Sequence, residues 1–461
     1  MRYKDMTSGS IPKHLISFSI PLLITSLFQF SFSFLDSIMM GQFVGVSELG
    51  AVSCCGTIIN FFMLFSNGMG IGIQTVVGNL YGGKHYRSTR TAFTTVFAIL
   101  GVLSVISTVL GITFSGPLLR LISTPEELLP YAQTYMQLYF AGLTLIVFTN
   151  GINGMFHALG ETRIPMLVQI INFFVNVGLD LLLLRYFKLG VAGVALAGIG
   201  TRAIALTILL IFFIRRARSV APRTKWFRWD LCKRIFVTGL PACLAASVNA
   251  IGDMMLRNLT NSFGANIISA LAICGQLNNI CFLIVNAICA ANNSFVAQNY
   301  GAHRIKRIKK CVNMSFFFTC AYSVIIILVL TFFKDALFNI FIGADTDPAQ
   351  RAEIFDFAGR YITVINMCYI IYALGHLANE VMRGIGKTIF PFFTALVNLG
   401  VRIIFSYALM SVLGESVIYW NIPAGWICGY MISIVYYFTG AWVPHHKLAH
   451  HTEQMLSEAQ K

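Results

Sequence analysis

The sequence predicts an all-α polytopic membrane protein with twelve transmembrane helices in two pseudo-symmetric six-helix lobes. Two observations predict this class. Hydrophobic residues make up 57% of the 461 residues and charged residues only 11%, whereas soluble domains carry about 25% charged residues. Apolar stretches of about twenty residues, the length of a spanning helix, recur along the whole chain.

The apolar stretches place the helices in order along the chain. The predicted spans are 14–40, 50–80, 91–114, 127–158, 165–185, 190–214, 235–260, 266–298, 311–341, 357–383, 390–412 and 421–443. They divide the chain into an N-terminal lobe (1–214, helices 1–6), a basic cytoplasmic connector (215–234), a C-terminal lobe (235–443, helices 7–12) and a cytoplasmic tail (444–461).

The net charge of +15 is unevenly distributed between the predicted loops. Lys84, Arg216 and Lys306 lie in basic loops, and the alternate loops carry acids such as Glu126 and Asp347. Basic loops stay in the cytoplasm and attract anionic membrane lipids. We therefore expect a monomeric plasma-membrane protein with both termini in the cytoplasm, and no nucleic-acid partner.

Two acids lie where a membrane protein rarely tolerates them. Asp36 is the only charge in the apolar stretch 20–41, and Asp180 ends a stripe formed with Asn172 and Asn176 at four-residue spacing. A charged side chain at membrane depth costs about 2.5–3.5 kcal/mol or more, and usually marks an ion or substrate path. Residues four apart share one helix face, so the stripe can line a cavity. These features indicate a cation-coupled transporter.

The two halves of the chain repeat each other at a spacing of about 220–226 residues. The matched pairs are Pro21 with Pro241, Tyr81-Gly82 with Tyr300-Gly301, Asn153 with Asn379, the turn Gly160–Pro165 with Gly386–Pro391, and Asn172 with Asn398. Each copy holds six helices, an even number, so both keep one orientation. Parallel repeats predict two lobes related by an axis along the membrane normal.

These motifs together resemble the multidrug and toxic compound extrusion (MATE) family over nearly the whole chain. The resemblance implies an antiporter that exports small-molecule drugs or organic cations in exchange for H⁺ or Na⁺. It also implies that Asp36 binds the coupling cation and that Asn153, Asn176 and Asp180 form a polar cluster around it. Helix 1 is expected to bend near Pro21.

The second lobe departs from the pattern of NorM-like members, which carry acids on helices 7 and 10. The corresponding positions here are Asn249 and Tyr372. The chain therefore looks closer to the DinF-like branch, with its ion chemistry in the N-terminal lobe. We expect H⁺ rather than Na⁺ as the coupling ion; Na⁺ bound at Asp36 and Asp180 is the alternative.

Four further residues are candidates for the substrate cavity: Gln29, Asn172, Met39 and Asp253. Asp253 is also placed to pair with Arg257 on its own helix. Arg202 either pairs with Asp180 or extends toward the membrane surface. The rival function is a lipid-linked precursor flippase of the related MOP superfamily. The sequence predicts neither an enzyme nor a cofactor beyond the coupling ion.

Overall fold

The computed structural model describes residues 5–43, 46–121, 124–220, 225–342 and 347–443, and these are almost entirely helical. The first half contains α1 (Ile11–Phe43), α2 (Val46–Gly82), α3 (Tyr86–Leu121), α4 (Leu129–Ala141), α5 (Leu143–Ala158), α6 (Arg163–Asp180), a π-helical segment (Leu181–Tyr186) and α7 (Gly190–Arg218). The second half contains α8 (Trp229–Asn261), α9 (Ala265–Gly301), α10 (Ile305–Asn339), α11 (Pro348–Gly384), α12 (Ile389–Leu413), a short 3₁₀ turn (Gly414–Ser416) and α13 (Val417–Thr439).

The number of spans follows from helix length and from how the last helices pair. Ten helical stretches of the described residues are apolar enough to span a bilayer, and the α4–α5 pair, bent by 45°, adds an eleventh. One stretch, Ile389–Thr439, is 51 residues long, far longer than the roughly 20 residues that one crossing needs. Within it, Thr394 lies beside Ser433 and Asn421 beside Ser406. Since α12 and α13 therefore run antiparallel, the predicted twelve spans are confirmed.

Two hydrophobic cores correspond to the two predicted lobes. One joins buried side chains between Ala51 and Cys243, and the other joins those between Leu259 and Trp442. The first core also takes in the beginning of α8, through Leu231 and Ile235. The exact lobe boundaries stay a prediction, and the predicted tail, 444–461, lies outside the described residues.

One end of the molecule, called here the basic face, gathers the turns that follow α2, α5 and α9. Gln298 donates to the Ala158 carbonyl at 2.8 Å, and Arg216 pairs with Glu161 at 3.1 Å. The N-terminal segment is held at the same end, because Arg304 donates to the Thr7 carbonyl at 2.7 Å. The basic loops, which alternate with acidic loops along the sequence, therefore lie at the same end of the molecule.

Near the basic face, α2 of the first lobe packs on α8 and α9 of the second with almost no side chain between them. A Cβ at Gly72 would lie 2.5 Å from Gly239 Cα. A Cβ at Gly82 would overlap the Gln298 carbonyl oxygen, and one at Gly301 would overlap the Asn79 carbonyl oxygen. Glycine lets helix backbones approach this closely, and the two reciprocal contacts follow the internal repeat.

The orientation in the membrane can be tested by cysteine accessibility. We expect Arg218→Cys, introduced into a chain without its 11 native cysteines, to resist an impermeant maleimide in intact cells. Glu126→Cys should react, because acidic loops are exported more readily than loops rich in Lys and Arg. Both positions are exposed, so burial does not explain a difference. External labelling at position 218 would reverse the orientation.

Candidate functional site

The first lobe contains a cavity of about 360 Å³ between α1, α2, α5, α6 and α7. Its polar lining consists of Gln29, Asn67, Thr149, Asn150, Asn153, Gln169, Asn172, Thr201 and Arg202. Its apolar lining consists of Phe32, Met63, Ile146, Pro165, Val168, Gly198, Ala205 and Leu209. Pockets for small ligands commonly span about 300–1,000 Å³ and combine apolar walls with a few placed polar groups.

Several polar atoms of the cavity wall have no hydrogen-bond partner in the described part of the chain. These are Thr149 Oγ1, Asn153 Oδ1 and Asn172 Oδ1, all shielded from solvent. By contrast, Asn150 is held in place, because its amide donates to Ser66 Oγ at 3.0 Å. Buried polar groups normally find a partner, so this wall is suited to a bound ion, water or ligand.

Asp180 and Asn176 lie further along α6 than the residues that line the cavity, one helical turn apart. Asp180 is 2% exposed and Asn176 is 3% exposed. Asp180 is the last residue of α6, and the chain continues from it directly into the π-helical segment Leu181–Tyr186. Single π turns inside α-helices occur frequently at functional sites. The structure therefore places this carboxylate in the interior of the first lobe, at a break in regular helix geometry.

The other predicted residues divide into three groups. Gln29, Asn153 and Asn172 line the cavity, as predicted for a polar face. Met39 lies elsewhere, because it packs on the Leu184–Val194 cluster rather than in the cavity wall.

The side chains of Asp36 and Asp253 lie outside the described part of the chain; only their backbones are placed, in α1 and α8. The predicted bend residue Pro21 lies inside α1, which continues on both sides of it.

A polar network joins the two lobes close to the basic face. The spacing of Glu380 and Arg383 predicts their pairing as a gate or structural pair, but nothing in the sequence predicts their link to the other lobe. Gln74 of α2 donates to Asn293 Oδ1 at 3.0 Å and to Ser294 Oγ at 2.8 Å, both on α9. Asn293 in turn donates to Glu380 Oε2 at 2.9 Å, and Glu380 pairs with Arg383. All members of this network are polar residues in otherwise apolar helices. That is the one sequence signal that could have indicated them.

A histidine lies where the two lobes meet at the basic face. Burial lowers the pKa of His85, and the nearby charges of His303, in the turn after α9, and Arg234, at the start of α8, lower it further. His85 is consequently neutral at neutral pH, so it adds no repulsion to an already basic contact.

The interior of the second lobe is filled differently. Phe282 stacks on Tyr372 with ring centroids 4.3 Å apart, and Trp426 lies 5.0 Å from the same ring. Asn379, the repeat partner of Asn153, accepts a hydrogen bond from Ser433. Asn153 thus faces the cavity with an unpartnered oxygen, whereas its counterpart Asn379 has a hydrogen-bond partner.

Comparison with known proteins gives one consistent family. The MatE family model matches residues 21–182 and 241–408, which are the two halves of the internal repeat. The probable multidrug resistance protein YpnP of Bacillus subtilis is 26% identical over 443 residues, covering 96% of this chain and 98% of that protein. The multidrug export protein MepA of Staphylococcus haemolyticus is 23% identical, covering 93% of this chain and 94% of that protein.

The fold agrees with solved structures of the same family. The crystal structure of MATE in the bent conformation superposes with a TM-score of 0.87 at 17% identity, covering 95% of this chain and 97% of that one. No branch within the family is distinguished by these matches, so the DinF-like assignment stays a prediction. Two matched repeat halves, twelve spans and the shared fold lead to one conclusion: the chain belongs to the MatE family of multidrug efflux transporters.

Proposed function

We propose that this chain is a secondary antiporter that exports lipophilic small molecules, cationic ones included, in exchange for H⁺. The observation that carries the proposal is the polar cavity of the first lobe, with its unpartnered Asn153 and Asn172 oxygens. Asp180 is buried in the same lobe, on the helix that supplies Asn172 to the cavity. Asp36 on α1 is proposed as the second carboxylate of the same site.

The proposed cycle uses one proton as a switch. A proton that enters from outside neutralises Asp36, α1 repacks near Pro21, and the first lobe loses affinity for substrate. Coupling requires that the proton and the substrate favour different states, because equal affinity for both states shifts nothing. The unpartnered amide oxygens of Asn153 and Asn172 form part of the polar cavity wall that the substrate contacts in this cycle.

Opening toward the basic face would break the inter-lobe network. The hydrogen bonds of Gln74 to Asn293 and Ser294 cross between the lobes, and so do the glycine contacts at Gly82 and Gly301. If the basic face is cytoplasmic, as the loop charges predict, the described state is closed to the cytoplasm. Alternating access would then exchange these contacts for others on the opposite side.

The choice of H⁺ over Na⁺ rests on the residues that surround the site. A Na⁺ site needs several converging oxygens, and the second lobe offers no acid at Asn249 or Tyr372. Tyr372 instead donates to Asn286 at 3.2 Å within an aromatic cluster. H⁺ needs no such set of oxygens, since one carboxylate suffices to carry a proton.

The coupling ion can be decided in proteoliposomes. We expect ethidium transport to follow an imposed pH gradient and to stop when a protonophore collapses that gradient. A sodium gradient alone, with the protonophore present, should support no transport above that of empty vesicles. Sustained transport under the sodium gradient would overturn the proton assignment while leaving the antiport intact.

A further inference from the structure

Arg202 is the one charged side chain among the described residues that line the cavity. It lies near the middle of α7, in the otherwise uncharged sequence Gly198-Ile-Gly-Thr-Arg202-Ala-Ile-Ala-Leu206. An arginine at membrane depth is energetically costly, and such residues mark functional sites by default. The folded protein must therefore offer this guanidinium a compensating environment or a ligand.

The surroundings of Arg202 stabilise its charge only in part. Its guanidinium carbon lies 5.1 Å from the centre of the Tyr139 ring, close enough for a cation–π attraction. No described carboxylate forms an ion pair with it, so the pairing with Asp180 considered from the sequence does not form. The ring contact uses the face of the guanidinium and leaves its N–H donors for other partners.

The backbone of α7 leaves space for the guanidinium. A Cβ added at Gly198, one turn earlier, would lie 3.0 Å from Arg202 Nη1. The neighbouring cavity wall is amphipathic, with Asn172 and Gln169 on one side and Phe32 and Val168 among the apolar groups. A ligand that fits must therefore be partly apolar and must present acceptors to Arg202.

We propose that this cavity binds small amphipathic molecules that carry an anionic group, with that group hydrogen-bonded to Arg202. A carboxylate, sulfonate or phosphate has the planar or forked oxygens that a guanidinium binds in a bidentate manner. The unpartnered oxygens of Asn153 and Asn172 accept from donor groups elsewhere on the same molecule. Zwitterions satisfy both sets of groups. The proposal rests on the transport function above and narrows its substrate class.

A matched pair of dyes tests the assignment without any ion gradient. Rhodamine 110 carries a free carboxylate, and rhodamine 123 is its methyl ester, so the two differ in that charge. Binding to the full-length protein in detergent is followed by fluorescence polarisation. We expect rhodamine 110 to bind roughly tenfold more tightly, as one charge-assisted hydrogen bond predicts. Equal affinity for the two dyes, or no binding of either, overturns the proposal.

Variants locate the effect at the guanidinium. Arg202→Gln should weaken rhodamine 110 to the affinity of rhodamine 123 and leave rhodamine 123 within about twofold, which also reports correct folding. Arg202→Lys should keep part of the preference, because it retains the charge but not the fork. Arg215→Gln, an exposed arginine on the same helix, should keep all of it. A preference that survives in Arg202→Gln contradicts the proposal.

The two proposals fail separately. If Arg202 selects the anionic group but protons do not drive transport, the dye preference remains while the pH gradient has no effect. If protons drive transport but Arg202 has no such role, rhodamine 123 efflux follows the pH gradient while the two dyes bind equally.

Discussion

Asp36→Asn is expected to abolish concentrative export while leaving folded protein in the membrane. Asparagine keeps the shape and part of the hydrogen bonding of aspartate but holds no titratable proton. One charge that moves through 100 mV supplies about 2.3 kcal/mol, or roughly 50-fold accumulation, and the variant loses this drive. Ethidium accumulation in inside-out vesicles under an imposed pH gradient measures the loss.

Controls separate loss of coupling from loss of structure. Asp180→Asn should impair export as well, because its carboxylate is buried in the same lobe. Asn249→Ala, on the exposed side of α8, should leave ion coupling unchanged. If Asp36→Asn transports at the wild-type rate under an imposed gradient, the proposed mechanism is wrong.

Gly82→Ala is expected to shift the protein away from the state in which the lobes meet at the basic face. Its Cβ would overlap the Gln298 carbonyl oxygen, so α2 and α9 must separate before they reach an ordinary contact of 3.4 Å. Overpacking of this kind costs about 1–3 kcal/mol, equivalent to a roughly five- to hundredfold shift between states. Spin-label distances between the ends of α3 and α10 nearest the basic face would report it.

The repeat equivalent of Gly82 gives a second variant for the same test, and a glycine with open space around it gives the control. Gly301→Ala meets the Asn79 carbonyl oxygen in the same way and should act like Gly82→Ala. Gly101→Ala, in the middle of α3, meets nothing within 4 Å and should leave the distances unchanged. Unaltered distances in both junction variants would show that the close glycine contacts do not control the state.

The fold could be predicted because apolar length and repetition are strong signals in a membrane protein. The twelve spans and the two lobes follow from them, but the predicted span 127–158 is two helices bent by 45°, and several helix ends differ. The helix that begins at Tyr86 was predicted to begin at 91, and α9 ends at Gly301 rather than at 298. Polar residues in these terminal turns continue the helices beyond the apolar segments, so hydropathy alone predicts helices that are too short at these ends.

Residue spacing predicts which side chains share one face of a helix, but not which of them line the cavity. The four-residue stripe on α6 was correct as a buried polar feature, yet it is divided between two environments. Asn172 lines the cavity, whereas Asn176 and Asp180 are buried further along the helix, outside the cavity lining. Which part of a stripe meets a cavity depends on how α1 and α7 pack on it, and spacing within one helix does not contain that information.

Contacts between distant segments were beyond sequence reasoning. Gln74 and Asn293 are separated by 219 residues, and nothing local to either residue indicates the other. Arg202 was recognised as unusual, but its position over Tyr139 follows from the packing of α4 against α7. The place of Met39 likewise depends on tertiary packing, since it packs on the Leu184–Val194 cluster.

The most direct test of the account is proton release on substrate binding, measured without any membrane or gradient. Purified protein in a weakly buffered detergent solution near neutral pH is titrated with ethidium while a pH indicator follows the solution. If substrate and proton compete through the first-lobe carboxylates, linkage requires substrate binding to release protons. We predict release from the wild-type protein and its loss in Asp36→Asn. Saturable ethidium binding with no proton release, or unchanged release from Asp36→Asn, would contradict the account.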